Sequence, residues 1–187
     1  MPIGSYMAIP TLATELIHQQ PKTVLDLGMG FGMMGVAVRQ WLDLGVHPWK
    51  THVSGVEVWA SYRNPAWDLY DVVFVRDIRE HLQLDQQSYD MVLIGDVIEH
   101  FEDTDAELVL RAAMNLVGPR GSLLVITPDA AMEQGAAHGN PYECHRSVWT
   151  AERLRQSGFD ILIDANHPQL PPAVPTVVAR WKPSEPN

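Results

Sequence analysis

Residues 24–32 read Val-Leu-Asp-Leu-Gly-Met-Gly-Phe-Gly: an apolar run, a carboxylate at Asp26, and glycines at 28, 30 and 32. Glycine tolerates φ > 0 and lets a ligand lie against bare backbone. In open α/β sheets, ligands gather at the carboxyl ends of the strands. A pyrophosphate there would be repelled by Asp26 and a cationic ligand attracted, because like charges disfavour each other at short range. An overlapping run, Gly30-Phe31-Gly32-Met33-Met34-Gly35, fits the Gly-x-Gly-x-x-Gly dinucleotide fingerprint.

Further stretches offer chemistry. Gly55-Val56-Glu57-Val58 ends an apolar run with a carboxylate able to accept from two ribose hydroxyls. Arg76-Asp77-Ile78 follows the next apolar run, and Asp96-Val97-Ile98-Glu99-His100 the one after. Carboxylates favour helix starts, so Glu99 and His100 are expected to open a helix, whose dipole would keep the imidazole neutral. A long irregular stretch after Thr127-Pro128-Asp129 ends in Asn140-Pro141-Tyr142-Glu143-Cys144-His145-Arg146-Ser147-Val148-Trp149. Long loops in compact domains are usually functional, and aromatic rings beside Asn and His suit the wall of a small polar substrate's site. His145 and His100 are the imidazoles suited to take a proton near neutral pH.

No metal site is expected. Asp96, Glu99, His100 and Asp103 have a permissive spacing, but hard cations prefer oxygen cages that need no imidazole. His138 and His145 lack two further ligands for zinc. Cys144, the single cysteine, is expected to be a buried, inert thiol.

The Asp26-x-Gly28-x-Gly30-x-Gly32 run closely resembles the first motif of the class I S-adenosylmethionine-dependent methyltransferases, and Asp96–His100 resembles their fourth. The Asn140–Trp149 run, with these motifs, resembles a group of small bacterial and archaeal methyltransferases, over nearly the whole chain. The resemblance implies S-adenosylmethionine as cofactor, held by Asp26, Gly28, Met29, Gly30, Gly32, Glu57, Val58, Asp77, Ile78, Asp96 and Val97. It puts Asp77 at the adenine amino group and Asp96 beside the methionine end. The implied reaction is methyl transfer to an oxygen or nitrogen of a small molecule. Asn140, Tyr142, His145 and Trp149 would bind that molecule, with His145 and then His100 as candidate bases. Two other classes compete: an NAD(P)-dependent oxidoreductase and a non-catalytic nucleoside-binding module. Asp26 counts against the first, and the intact glycine turn against the second.

These residues need a scaffold. Seven apolar runs recur, at 23–27, 53–58, 72–75, 91–94, 123–126, 161–163 and 176–179. The central ones are continuous, as in parallel strands covered on both faces. Helical stripes lie between several of them. Ile9, Leu12, Ala13 and Leu16 make one; Met34, Val38 and Trp41 another; Leu110, Ala113, Met114 and Val117 a third, opened by a Thr104-x-x-Glu107 capping box. A fourth helix runs from Thr150 to Gly158. Alternation of strand and helix predicts a doubly wound, Rossmann-like α/β fold with helices on both faces, a single domain over 1–187. Pro168, Pro171, Pro172 and Pro175 leave no room for a crossover helix before the last strand. That strand is therefore expected to run antiparallel beside the sixth.

Charge narrows the partners. Acidic residues outnumber basic ones 23 to 13, for a net charge of −10. Phosphate binding needs a positive face, so nucleic acid is not an expected partner, nor is an anionic membrane. Without an apolar run near ~18 residues or a signal-like start, a cytoplasmic location is expected. Oligomeric state is not legible.

Overall fold

The computed structural model describes residues 6–168 and 175–184. Seven strands form one sheet: β1 (Thr23–Leu27), β2 (His52–Glu57), β3 (Val72–Val75), β4 (Tyr89–Gly95), β5 (Val117–Pro128), β6 (Asp160–Ile163) and β7 (Thr176–Trp181). Their order is β3-β2-β1-β4-β5-β7-β6. β1 to β5 pair in parallel. β7 inserts between β5 and β6, antiparallel to both. The antiparallel return beside β6 is the one expected; Pro171 and Pro172 lie outside the described residues.

Two apolar cores flank the sheet because its central strands carry apolar side chains on both faces. On one face α1 (Ile9–Gln19) and α2 (Met33–Leu42) bury Leu12, Leu16, Ala37 and Val38 against Val24, Val53 and Leu93, with Tyr62, Trp67 and Tyr70 beneath. On the other, α3 (Ile78–Leu84), α4 (Asp103–Asn115) and α5 (Ala151–Gln156) bury Ile78, Val109, Leu110 and Leu154 against Leu25, Val92 and Val125.

The helix boundaries differ from expectation in four places; in one, α4 ends at Asn115 and Val117, expected on its apolar stripe, opens β5. α4 starts at Asp103 with Glu102 at its N-cap, so Thr104 lies inside the helix and caps nothing. Asp103 and Asp105 in the first turn meet the dipole instead. Glu99 and His100 do not open this helix; they belong to a separate 3-10 turn, Ile98–His100. α3 has no counterpart among the expected helices: its seven residues are too few to show a periodic stripe. Thr150 caps α5 as expected, its hydroxyl accepting from the Arg153 amide.

Candidate active site

A cavity of about 710 Å³ opens along the carboxyl edge of the parallel strands. Gly28, Met29 and Gly30 after β1, Glu57 and Val58 at the end of β2, and Asp77 and Ile78 after β3 line one end. Asp96, Val97, Glu99 and His100 after β4 line the middle. Asn140, Tyr142 and His145 of the loop after β5 close the other side. Three of the expected residues, Asp26, Gly32 and Trp149, are not among its lining.

The glycine turn is fixed by backbone and by one carboxylate. The amides of Gly28 and Met29 both donate to the Val56 carbonyl, at 2.8 and 3.0 Å. The Gly30 amide donates to Glu57 Oε2 at 2.8 Å, while Glu57 Oε1 accepts from the Trp59 amide at 2.7 Å. Gly28 has φ +79°, and a Cβ there would stand 2.3 Å from Val97 Cγ2. The turn after β1 and the turn after β4 thus touch through a missing side chain. Gly35, third glycine of the rival fingerprint, packs against the Tyr70 ring and not toward the cavity.

Asp26 lies behind this turn, 1% exposed. It accepts a 2.6 Å hydrogen bond from the Tyr70 hydroxyl. Burial raises its pKa from the ordinary carboxyl range to about 7, partly offset by that hydrogen bond. Asp26 thus touches Tyr70 and is not among the residues that line the cavity. Asp77 caps α3, accepting from the Arg79 amide and pairing with its guanidinium at 2.7 Å. Those hydrogen bonds hold its carboxyl below the ordinary range.

The middle of the cavity gathers Glu99, His100 and His145, whose candidate ligand atoms all lie within 4.8 Å of one another. Glu99 is 2% exposed. Its Oε2 accepts from the Thr127 hydroxyl at 2.9 Å, and its Oε1 has no hydrogen-bond partner among the described residues. Burial, with the nearby Asp96 charge, pushes its pKa well above the carboxyl range. His100 Nδ1 lies 3.3 Å from the Cys144 carbonyl, and His145 Nδ1 lies 2.8 Å from the Met132 carbonyl. A carbonyl only accepts, so both rings carry their proton on Nδ1. The two ring centroids are 5.1 Å apart. His100 is held neutral, as expected, but chiefly because it is buried.

The loop after β5 is pinned by Asn140 together with Tyr62 and Glu143, two residues whose types and spacing carry no sequence signal. The Tyr62 hydroxyl donates to Glu143 Oε1 at 2.8 Å and accepts from Asn140 Nδ2 at 3.1 Å. Asn140 Oδ1 accepts from the Tyr142 amide, so the Asn140 amide group is spent on shaping the loop. Tyr142 projects into the open, 44% exposed. Trp149 is 1% exposed and sits in the core over β5, its indole N–H donating to Ser147 and the Arg153 guanidinium 3.7 Å above its ring. Cys144 is only half-buried. Tyr62 and Glu143 are 81 residues apart, and no local pattern links such a pair.

A family model described as a methyltransferase domain matches residues 6–162. No curated protein matches the chain. Among solved structures, an O-methyltransferase family protein from Burkholderia thailandensis superposes with a TM-score of 0.65 at 16% identity, covering 95% of this chain and 56% of its own. This chain thus spans little more than half of that protein. The 1,6-didemethyltoxoflavin-N1-methyltransferase of the same organism, solved with 1,6-didemethyltoxoflavin and S-adenosylhomocysteine bound, gives 0.64 at 17%, covering 92% of this chain and 76% of its own. The PH0226 protein of Pyrococcus horikoshii OT3 gives 0.66 at 16%, covering 96% and 89%. At these identities the likeness is one of fold. With the family match over residues 6–162, the chain belongs to the class I S-adenosylmethionine-dependent methyltransferases.

Proposed function

We propose that this methyltransferase acts on an oxygen or nitrogen of a small molecule, with the donor at the glycine-turn end of the cavity and the acceptor between His100, His145 and Tyr142. The observation that carries this reading is the single cavity joining those two ends. Its volume of about 710 Å³ falls in the usual range for small-ligand and cofactor sites. The donor end fits S-adenosylmethionine. Each Glu57 oxygen accepts one amide and keeps a second lone pair for a ribose hydroxyl. Ile78 and Val58 offer apolar walls, and the bare backbone at Gly28 to Gly30 leaves room for close approach.

Bound S-adenosylmethionine supplies an electrophilic methyl group on a sulfonium. The chain's part is to hold the acceptor in line, exclude water and deal with the acceptor's proton. Tyr142 and the loop after β5 shape the acceptor's space, with Tyr62, Asn140 and Glu143 fixing that loop. His145 and His100 are the groups placed at the proton, either as neutral bases or by holding an ion that acidifies the acceptor.

Calorimetry with S-adenosylmethionine, S-adenosylhomocysteine and NAD tests the reading. Micromolar binding of the first two, with NAD much weaker, is the expected result. Comparable or tighter NAD binding overturns it.

A further inference from the structure

The geometry points to a site for one first-row divalent cation, held by Glu99, His100 and His145. Two imidazoles and one carboxylate are a set that binds such ions facially, leaving positions open. Sequence spacing does not bring the third ligand in: His145 is 45 residues beyond His100, on a different loop.

Each ligand already has the outer partner that metal ligands usually have. The Thr127 hydroxyl fixes Glu99 Oε2, and Oε1 has no hydrogen-bond partner among the described residues. The Cys144 and Met132 carbonyls take the Nδ1 protons of His100 and His145. Nε2 is then the lone-pair nitrogen of each ring.

A carboxylate with an unpartnered oxygen is costly in a buried place unless a positive charge meets it. Glu99 is in that position, and no Lys or Arg pairs with it among the described residues. Carboxylates outnumber guanidiniums in the cavity lining seven to two. Ligand atoms within 4.8 Å need only small rotations to meet about 2.1 Å from one ion.

On the methyl-transfer reading, on which this step alone rests, an acceptor hydroxyl fills an open position of the ion. A bound cation lowers the pKa of such a hydroxyl, so its proton leaves to solvent and the imidazoles serve as ligands. The substrate class is then an oxygen donor that can coordinate.

The test uses the full chain stripped with chelator and titrated with Co²⁺. One equivalent should bind, with a visible band typical of nitrogen and oxygen ligands, and Zn²⁺ should displace it. Acetohydroxamate, a two-oxygen donor, should shift that band. Glu99→Gln and His145→Ala should each weaken Co²⁺ binding by about 100-fold or more, beyond the 10- to 100-fold typical of losing an outer partner. S-Adenosylhomocysteine calorimetry on the same samples separates the readings: a lost cofactor heat counts against the methyltransferase reading, a lost cobalt band only against the metal site. If Glu99→Gln does not fold, His145→Ala and His100→Ala decide. No band, binding undiminished in His145→Ala, or a band that acetohydroxamate leaves unmoved overturns the proposal.

Discussion

The Tyr70 hydroxyl donates to Asp26 Oδ2 at 2.6 Å and accepts from the Gly35 amide at 2.9 Å. One phenol thus ties the carboxylate of β1 to the first turn of α2, directly behind the glycine turn. The glycine-turn end of the cavity is braced from the core through Tyr70.

This arrangement sets a pH dependence. The folded-state pKa of Asp26 is raised to about 7 from an unfolded 3.8. A raised carboxyl pKa means that the folded state holds the proton longer, so this group's contribution is fully present below about pH 4. It is lost as pH rises toward 7. Asp26→Asn should therefore be relatively more stable than wild type at pH 8 than at pH 4. Thermal melts of both proteins across that range check it; a pH-independent difference would mean that Asp26 is already ionised.

Tyr70→Phe removes the donor and leaves both Asp26 and the Gly35 amide without their partner. An unsatisfied buried group costs about 1–3 kcal/mol, so the melting temperature should fall by several degrees. S-Adenosylhomocysteine affinity should fall with it, since the turn loses its brace. Unchanged affinity would show the turn to be held by Glu57 and Val56 alone.

Glu57→Ala should weaken S-adenosylhomocysteine binding by about 1.5–3 kcal/mol, through charge-assisted hydrogen bonds lost to the ribose. Because Glu57 also receives the Gly30 and Trp59 amides, Glu57→Gln is the sharper probe: it retains an acceptor oxygen and should weaken binding less. Titration calorimetry with both variants distinguishes the ribose from the turn.

Trp149→Ala tests whether this ring is wall or core. Its burial predicts a loss of about 3–5 kcal/mol of stability, the usual cost of emptying a large aromatic site. Cofactor affinity of the folded fraction should hold. Denaturant unfolding with parallel calorimetry reads both quantities. A variant of normal stability that binds acceptor poorly would return Trp149 to the substrate site.

His145→Ala should cut methyl transfer by about 10²-fold and leave S-adenosylhomocysteine affinity nearly unchanged. The ring stands at the acceptor end, and its anchor is a carbonyl of its own loop. Single-turnover transfer beside cofactor titration is the measurement; full activity would make His145 a loop anchor.

What the sequence determined by itself was local or periodic. Continuous apolar runs announced parallel strands because both faces of such a sheet are covered, and strand–glycine–helix order announced the turn between Leu27 and Met33. The prolines before Thr176 announced the antiparallel return, because they forbid a crossover helix. Glu57 was legible because a strand end fixes where its side chain must stand. Tertiary structure decided which side chains share a space. Asp26 and Trp149 face the core and not the cavity, and nothing in their neighbours signals this; strand and loop orientation decides it. Glu99, His100 and His145 meet only because the loop after β5 folds back over the turn after β4, through the Arg146 and Ser147 amides on the Glu99 carbonyl. Contacts between residues far apart in the chain carry no periodic trace, so the cluster of Glu99, His100 and His145 emerged only with the fold.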